Sequence, residues 1–241
     1  MKRMSHMLVV LALAFMLALD ASAQVRIYDT IYNAAGTDYE LTGLTFTGVL
    51  PRYRIADGLG VSLSVPHYLN RLDFVLVVAT AGTFTDLSAE IAVYNAWDPN
   101  APGSVFSNLA TSVTVPLDDV TTTGATAYIY QVSIPSGVVL DTNPNKGVVI
   151  TLRRGGVLDN NLSLGIVNRL PNPGSEVVAD LWYRDANDNG IIEATDARTF
   201  GGGRDFDNVA LTLWATPVPE PASFLVIGAG LAGLAALRRR R

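Results

Sequence analysis

From Asp185 to Asp196 the sequence reads Asp-Ala-Asn-Asp-Asn-Gly-Ile-Ile-Glu-Ala-Thr-Asp. Oxygen donors recur along it: the side chains of Asp185, Asn187 and Asn189, the Ile191 carbonyl, then Glu193 and Asp196. A hard cation such as Ca2+ takes about six to eight oxygen ligands, and this spacing delivers them from one loop with glycine at the sharp turn. Gly190 stands at that turn, and Ile192 stands where such loops place an apolar residue. Asparagine at the fifth position removes a charge, so a site here is a weak one that braces a loop rather than one that does catalysis. The competing interpretation is a polar hairpin loop, where Asp, Asn and Gly gather for turn reasons alone.

Because it ends in Asp rather than Glu, the segment resembles a dockerin loop more than an EF-hand. It departs from the dockerin pattern in two ways. There is one loop rather than two, and the preceding Leu181-Trp182-Tyr183 is strand-like rather than helical.

Other chemistry is sparse. The chain has no cysteine, which removes thiol catalysis and thiolate metal sites. Of its two histidines, His6 lies in an N-terminal export segment, and His67 has no G-x-S-x-G elbow to serve. Asp118 and Asp119 would have to face another acid across a cleft to act as a glycosidase pair. Trp97, Trp182 and Trp214 would stack on sugar rings if exposed, and otherwise fill core or strand-end positions. The expectation is therefore no catalytic residues and no enzyme. A carbohydrate-binding module is the alternative, and a secreted glycoside hydrolase comes third.

The two ends carry a different signal. Met1-Lys2-Arg3, an apolar run from Leu8 to Leu19 and Ala21-Ser22-Ala23 form a basic start, an apolar stretch and an A-x-A site, the three parts of a cleavable signal peptide spanning 1–23. At the other end Val218-Pro219-Glu220-Pro221 precedes an apolar run from Ala222 to Leu237 and then Arg238 to Arg241. Those 16 residues span about 24 Å as a helix. That is short against a hydrocarbon core of about 30 Å, but crossing is feasible with local thinning and snorkelling arginines. Basic flanks on the outer side of both runs place both chain ends in the cytoplasm and the intervening domain outside it.

The ordered motif, glycine-containing apolar stretch and terminal arginine cluster of 218–241 resemble the PEP-CTERM sorting tail. The resemblance implies a Gram-negative host, an exosortase-type membrane protease as partner, transient residence in the inner membrane, and cleavage near Val218, Pro219, Glu220 and Pro221. It also implies delivery to the cell surface or an exopolysaccharide matrix. Two prolines hold this strip extended.

Between the ends, residues 24–217 hold 11 basic and 20 acidic residues, a net charge of −9, with Lys146 the only lysine. Such a surface argues against nucleic acid as a partner, because that binding rests on phosphate neutralisation. Period-2 patterning predicts strands over Val25–Tyr32, Tyr39–Thr47, Val61–Val65, Leu69–Ala79, Ala89–Asn95, Val105–Val115, Ala127–Ile134, Gly147–Leu152, Ser163–Val167, Val177–Arg184 and Asn208–Ala215. Turn signals fall between them, Asp57-Gly58 among these. Thr216-Pro217-Val218-Pro219 is expected to be a short linker. The predicted fold class is all-β, a single β-sandwich or jelly-roll-like domain flanked by a signal peptide and a C-terminal transmembrane helix.

Overall fold

The computed structural model describes residues 24–46, 51–176, 178, 181–199 and 206–219. The signal segment and the 222–237 run lie outside the described residues. Among those described, no helix is long and apolar enough to cross a membrane.

Eight principal strands organise the domain: β1 (Val25–Asp29), β2 (Arg54–Gly60), β3 (His67–Val78), β4 (Leu87–Trp97), β5 (Phe106–Leu117), β6 (Thr126–Ser133), β7 (Asn145–Arg154) and β8 (Leu211–Pro217). One sheet has the order β1-β8-β3-β6 and the other β2-β7-β4-β5, with every pairing antiparallel. In chain order this is the jelly-roll connection, in which successive strands alternate between sheets except at the β4–β5 hairpin. The segment between β7 and β8 adds short strands to both sheets: Leu162–Leu164 on β3, and Ser175–Glu176 and Trp182–Arg184 on β2.

The inner faces share one apolar core. Leu72, Phe74, Leu76 and Val78 of β3 and Leu211, Leu213 and Ala215 of β8 meet Ile55 and Leu59 of β2, Ala89, Ile91 and Val93 of β4, and Val148, Ile150 and Leu152 of β7. β4 alternates buried and half-buried residues along its whole length, as one covered face requires. The β3 run Phe74-Val75-Leu76-Val77-Val78 is buried at every position. Its other face, through Val75 and Val77, packs under Ile31, Tyr32 and Val167, with Leu41, Leu44 and Phe46 beside them. A strand covered on both sides loses its alternation.

Two buried carboxylates pin that cover. Asp29 Oδ1 accepts hydrogen bonds from the Ile31 amide (2.9 Å), the Tyr32 amide (3.0 Å) and the Thr212 hydroxyl (2.7 Å). Asp73 accepts from Tyr32 Oη (2.9 Å), Trp214 Nε1 (2.9 Å), Arg71 Nε (2.8 Å) and Arg71 Nη2 (2.7 Å). Each charge is therefore taken out of water only with its lone pairs occupied.

The structure corrects three expectations at the local level. Asp57-Gly58 is not a turn: it lies in the middle of β2, and Asp57 is fully buried. Neither Val61–Val65 nor the described part of Tyr39–Thr47 is a strand. The first crosses between sheets, and the second is tied by isolated bridges Tyr32↔Tyr39 and Thr45↔Ile166. Thr216 and Pro217 are not linker but the end of β8, paired with Tyr68 and His67.

Gly58 is mid-strand for a packing reason. It stands opposite Gly147 of β7, and the rings of Trp97 and Phe106 lie over the two glycines. A Cβ on Gly58 would sit 2.3 Å from Trp97 Cδ2, and one on Gly147 would sit 2.1 Å from Phe106 Cδ1. Ala56, Val105, Tyr183 and Ile192 complete this outer aromatic cluster. Gly58→Ala is expected to cost about 2 kcal/mol or more, because the ring cannot retreat from a packed site. Gly124→Ala, whose Cβ meets nothing within 4 Å, should stay within about 0.5 kcal/mol of wild type. Urea unfolding of residues 24–219 measures both.

Candidate functional site

The sorting strip begins on the sheet. β8 runs antiparallel to β3 up to Pro217, opposite His67, and the Val218 amide then donates to the Pro66 carbonyl at 2.9 Å. Pro219 follows, and Glu220 and Pro221 lie outside the described residues. On its other edge β8 pairs with β1, Val25 opposite Ala215. The chain therefore enters and leaves the domain on adjacent strands at one end of the sandwich. His67 is buried, with Nδ1 2.8 Å from the Val65 carbonyl, in a structural role beside the junction. An open cleft of about 440 Å³, with Arg26, Ser62, Ser64, His67 and Ser175 in its lining, adjoins it.

The 185–196 loop lies elsewhere, over the outer face of the second sheet. Ile192 is its apolar anchor, buried against Trp97, Val105, Phe106 and Tyr183, and its carbonyl accepts from the Val105 amide at 2.9 Å. The loop does bring Asp185, Asn187, Asn189, Glu193 and Asp196 together, but their side-chain oxygens accept from the loop's own donors, while Ile191 is exposed and contributes its amide as a donor to Asn189. Asp185 accepts from the Asn189 amide (Oδ1, 3.2 Å) and the Gly190 amide (Oδ2, 3.0 Å). Asn187 and Asn189 accept from the amides of Asn189 and Ile191, and both side-chain amides donate to Glu193 Oε2 at 3.2 Å. Asp196 closes a capping box, accepting from the amides of Ala186 and Glu193 at 3.0 Å each.

A cation is already present, because Arg54 Nη1 lies 3.0 Å from Asp185 Oδ2 while its Nε donates to Thr151. Gly190, at φ +81°, lets the loop pass this guanidinium, which a Cβ would approach to 3.0 Å. Beside it, burial and the Asp188 carboxylate push the Tyr53 phenol up to about 12. Among the described residues no group of three or more His, Cys, Asp or Glu could hold a metal ion.

The remaining candidates do not converge. Asp118 and Asp119 are exposed in a turn, where Asp119 Oδ1 accepts from the Asp86 amide. Trp97 and Trp182 are 3% exposed, and Trp214 is half-buried under Arg71, so no open pair of indoles faces solvent near the loop. One titratable group went unseen in the sequence. Asp57 Oδ2 accepts from the Val209 amide at 2.8 Å, while Oδ1 is buried with no hydrogen-bond partner. Burial, aided by the nearby Glu176 carboxylate, raises the Asp57 carboxyl well above its ordinary value against the pull of the backbone amides. It is a buried acid with no cleft, so it bears on stability and not on catalysis.

Residues 217–241 match the PEP-CTERM protein-sorting motif. No curated protein and no solved structure matches the chain. The chain thus carries the tail of an exported precursor that transits the membrane and is processed by an exosortase.

Two outcomes follow from these geometries. Arg54→Ala should destabilise the domain by about 2 kcal/mol in urea unfolding, since Asp185 loses its charge-assisted partner. For Asp57 the folded-state pKa lies above the unfolded one. Its contribution is thus fully present below the unfolded value near 3.9 and is lost as pH rises through the folded value. Asp57→Asn should accordingly gain stability over wild type as pH is raised from about 4 towards neutrality, with the two proteins converging at acid pH. Melting temperatures of both proteins across that range measure the gap.

Proposed function

We propose that this is a non-catalytic envelope protein of a Gram-negative bacterium with a structural or adhesive role. Its signal peptide starts export, and its apolar tail holds it in the inner membrane. An exosortase-type protease then cuts near Val218 to Pro221, and the jelly-roll domain passes to the cell surface or an exopolysaccharide matrix. The observation that carries this reading is the sorting motif joined directly to β8, on a domain whose first and last strands pair so that both chain exits share one end. With that arrangement the end that leads export and the end that stays tethered lie on the same side of the domain. The buried tryptophans, the exposed Asp118 and Asp119, and a loop at 185–196 occupied by its own hydrogen bonds favour a structural body over a glycan-cleaving one.

Mass spectrometry of the protein from its host tests the proposal. In cells with the sorting protease, the expected product begins at Gln24 and ends within Val218 to Pro221. In cells lacking the protease it keeps Arg238 to Arg241. An intact C-terminus on protein recovered from the cell surface would overturn the proposal.

A further inference from the structure

The charged residues of the domain are unevenly distributed in space. The segments 58–70, 99–117 and 120–140 contain no Asp, Glu, Lys or Arg, although 24–217 carries 31 such residues in all. Three connections that overlap these segments meet at one end of the sandwich, while the 123–125 turn lies at the other. Pairing fixes this: Gly60 lies opposite Asn145, Tyr94 opposite Gly147, His67 opposite Leu140, and Pro217 opposite His67. The connections 61–66, 98–105 and 134–144 therefore surround the point where Val218 and Gln24 leave the domain. Their charges are few and engaged. Asp141 is ion-paired with the buried Lys146, and Asp98 accepts from the amide of Asn100 in its own turn; from neighbouring elements Arg26 lines the cleft beside the exit and Glu193 bridges Ser104. The exposed or half-exposed residues of these connections include Ser62, Leu63, Ser64, Pro66, Ser136 and Val139, with Asp98 and Asp141 the only acids among them.

The opposite end is charged. There Arg154 meets Asp159, Asp119 receives the Asp86 amide, and Asp118 is exposed.

We infer that the neutral end is a membrane-facing surface, apposed to the lipid headgroups while the precursor is tethered. This inference rests on the proposed membrane tethering of the tail and adds an orientation to it. Chain length enforces the contact. Val218 is still hydrogen-bonded to the domain, and the apolar run starts at Ala222. From Pro219 to Ala222 the chain reaches at most about 10 Å, little more than one polar layer of a bilayer at about 5–8 Å. The domain has no slack to stand off. An acidic body held that close would bring carboxylates within a screening length, about 10 Å, of anionic headgroups. Placing these charge-poor loops there weakens the repulsion, and their Val, Leu and Pro side chains suit an interface.

The absence of cysteine allows a clean test. Single cysteines are placed at Ser64 and Ser136 on the neutral end, and at Ala81 and Thr121 on the opposite end, all exposed positions. The full chain is expressed in host cells lacking the sorting protease. Spheroplasts are then treated with a bulky membrane-impermeant maleimide. The inference expects Ser64→Cys and Ser136→Cys to react several-fold more slowly than Ala81→Cys and Thr121→Cys, and all four to react alike after detergent release. Equal labelling of all four in the membrane fraction would overturn the orientation while leaving the tethering intact. Recovery of uncleaved chain in the soluble fraction would remove the tethering and the orientation with it.

Discussion

The pairing of β1 with β8 is the constraint on which the rest of the molecule depends. In a jelly roll the first and last strands lie side by side in one sheet, here with Val25 opposite Ala215. Directly opposed residues of an antiparallel pair are separated by about 5 Å. The ends of the folded domain are therefore neighbours whatever the intervening loops do. Gln24 and Val218, where the described chain enters and leaves the domain ahead of the sorting motif, thus lie at one end. An even-handed sandwich with its ends at opposite poles would need a long return linker, and the sequence has no such segment before the motif at 217–241.

The energetics of the sandwich are divided between its two sheets. The first sheet is covered on both faces along β3 and holds that cover through the fully bonded carboxylates of Asp29 and Asp73. The second presents an aromatic cluster on its outer face, seated on Gly58 and Gly147 and closed by Ile192 from the polar loop. That loop resembles a cation site because it folds around a cation. Arg54 supplies the positive charge that Asp185 needs, and backbone amides supply the remaining donors. The same oxygen-rich spacing serves either solution, so the sequence alone does not separate them. The fold adds what the sequence could not show, an arginine 131 residues away brought beside Asp185 by the β2 pairing of the Trp182–Arg184 strand.

The long strands were legible because one face is core and the other is not, as in Leu87–Trp97, or because both faces are covered, as in Phe74–Val78. The failures share a cause. Asp57-Gly58 has turn chemistry locally, but the glycine makes room for Trp97 and the aspartate receives the Val209 amide from 152 residues away. Tyr39 and Thr45 have strand propensity, but they meet only isolated bridges because they cover a sheet rather than extend one. Tertiary packing overrode local preference in both cases. The sorting motif was legible because it is read by another protein, as a linear signal that owes nothing to long-range packing. Its attachment to β3 through Val218 was not, because proline-rich composition at 216–219 resembles a linker even when its residues are paired.

That attachment bears on the order of events at the membrane. A protease that takes its substrate as an extended strand must engage the backbone of the strip. Pro219 and Pro221 have no amide to offer, so Val218 carries a backbone donor that the protease would compete for, and that donor is held by the Pro66 carbonyl. One such bond contributes about 1 kcal/mol net, far below the roughly 5–15 kcal/mol that keeps a domain folded. Fraying of the final pair therefore releases the strip without disturbing the core, as strand ends do at low local cost. The domain can fold completely before the tail is cut, and its stability sets no barrier to cutting. What the fold does set is position. It delivers Val218 from a fixed edge of the sheet, beside β1 and the charge-poor loops.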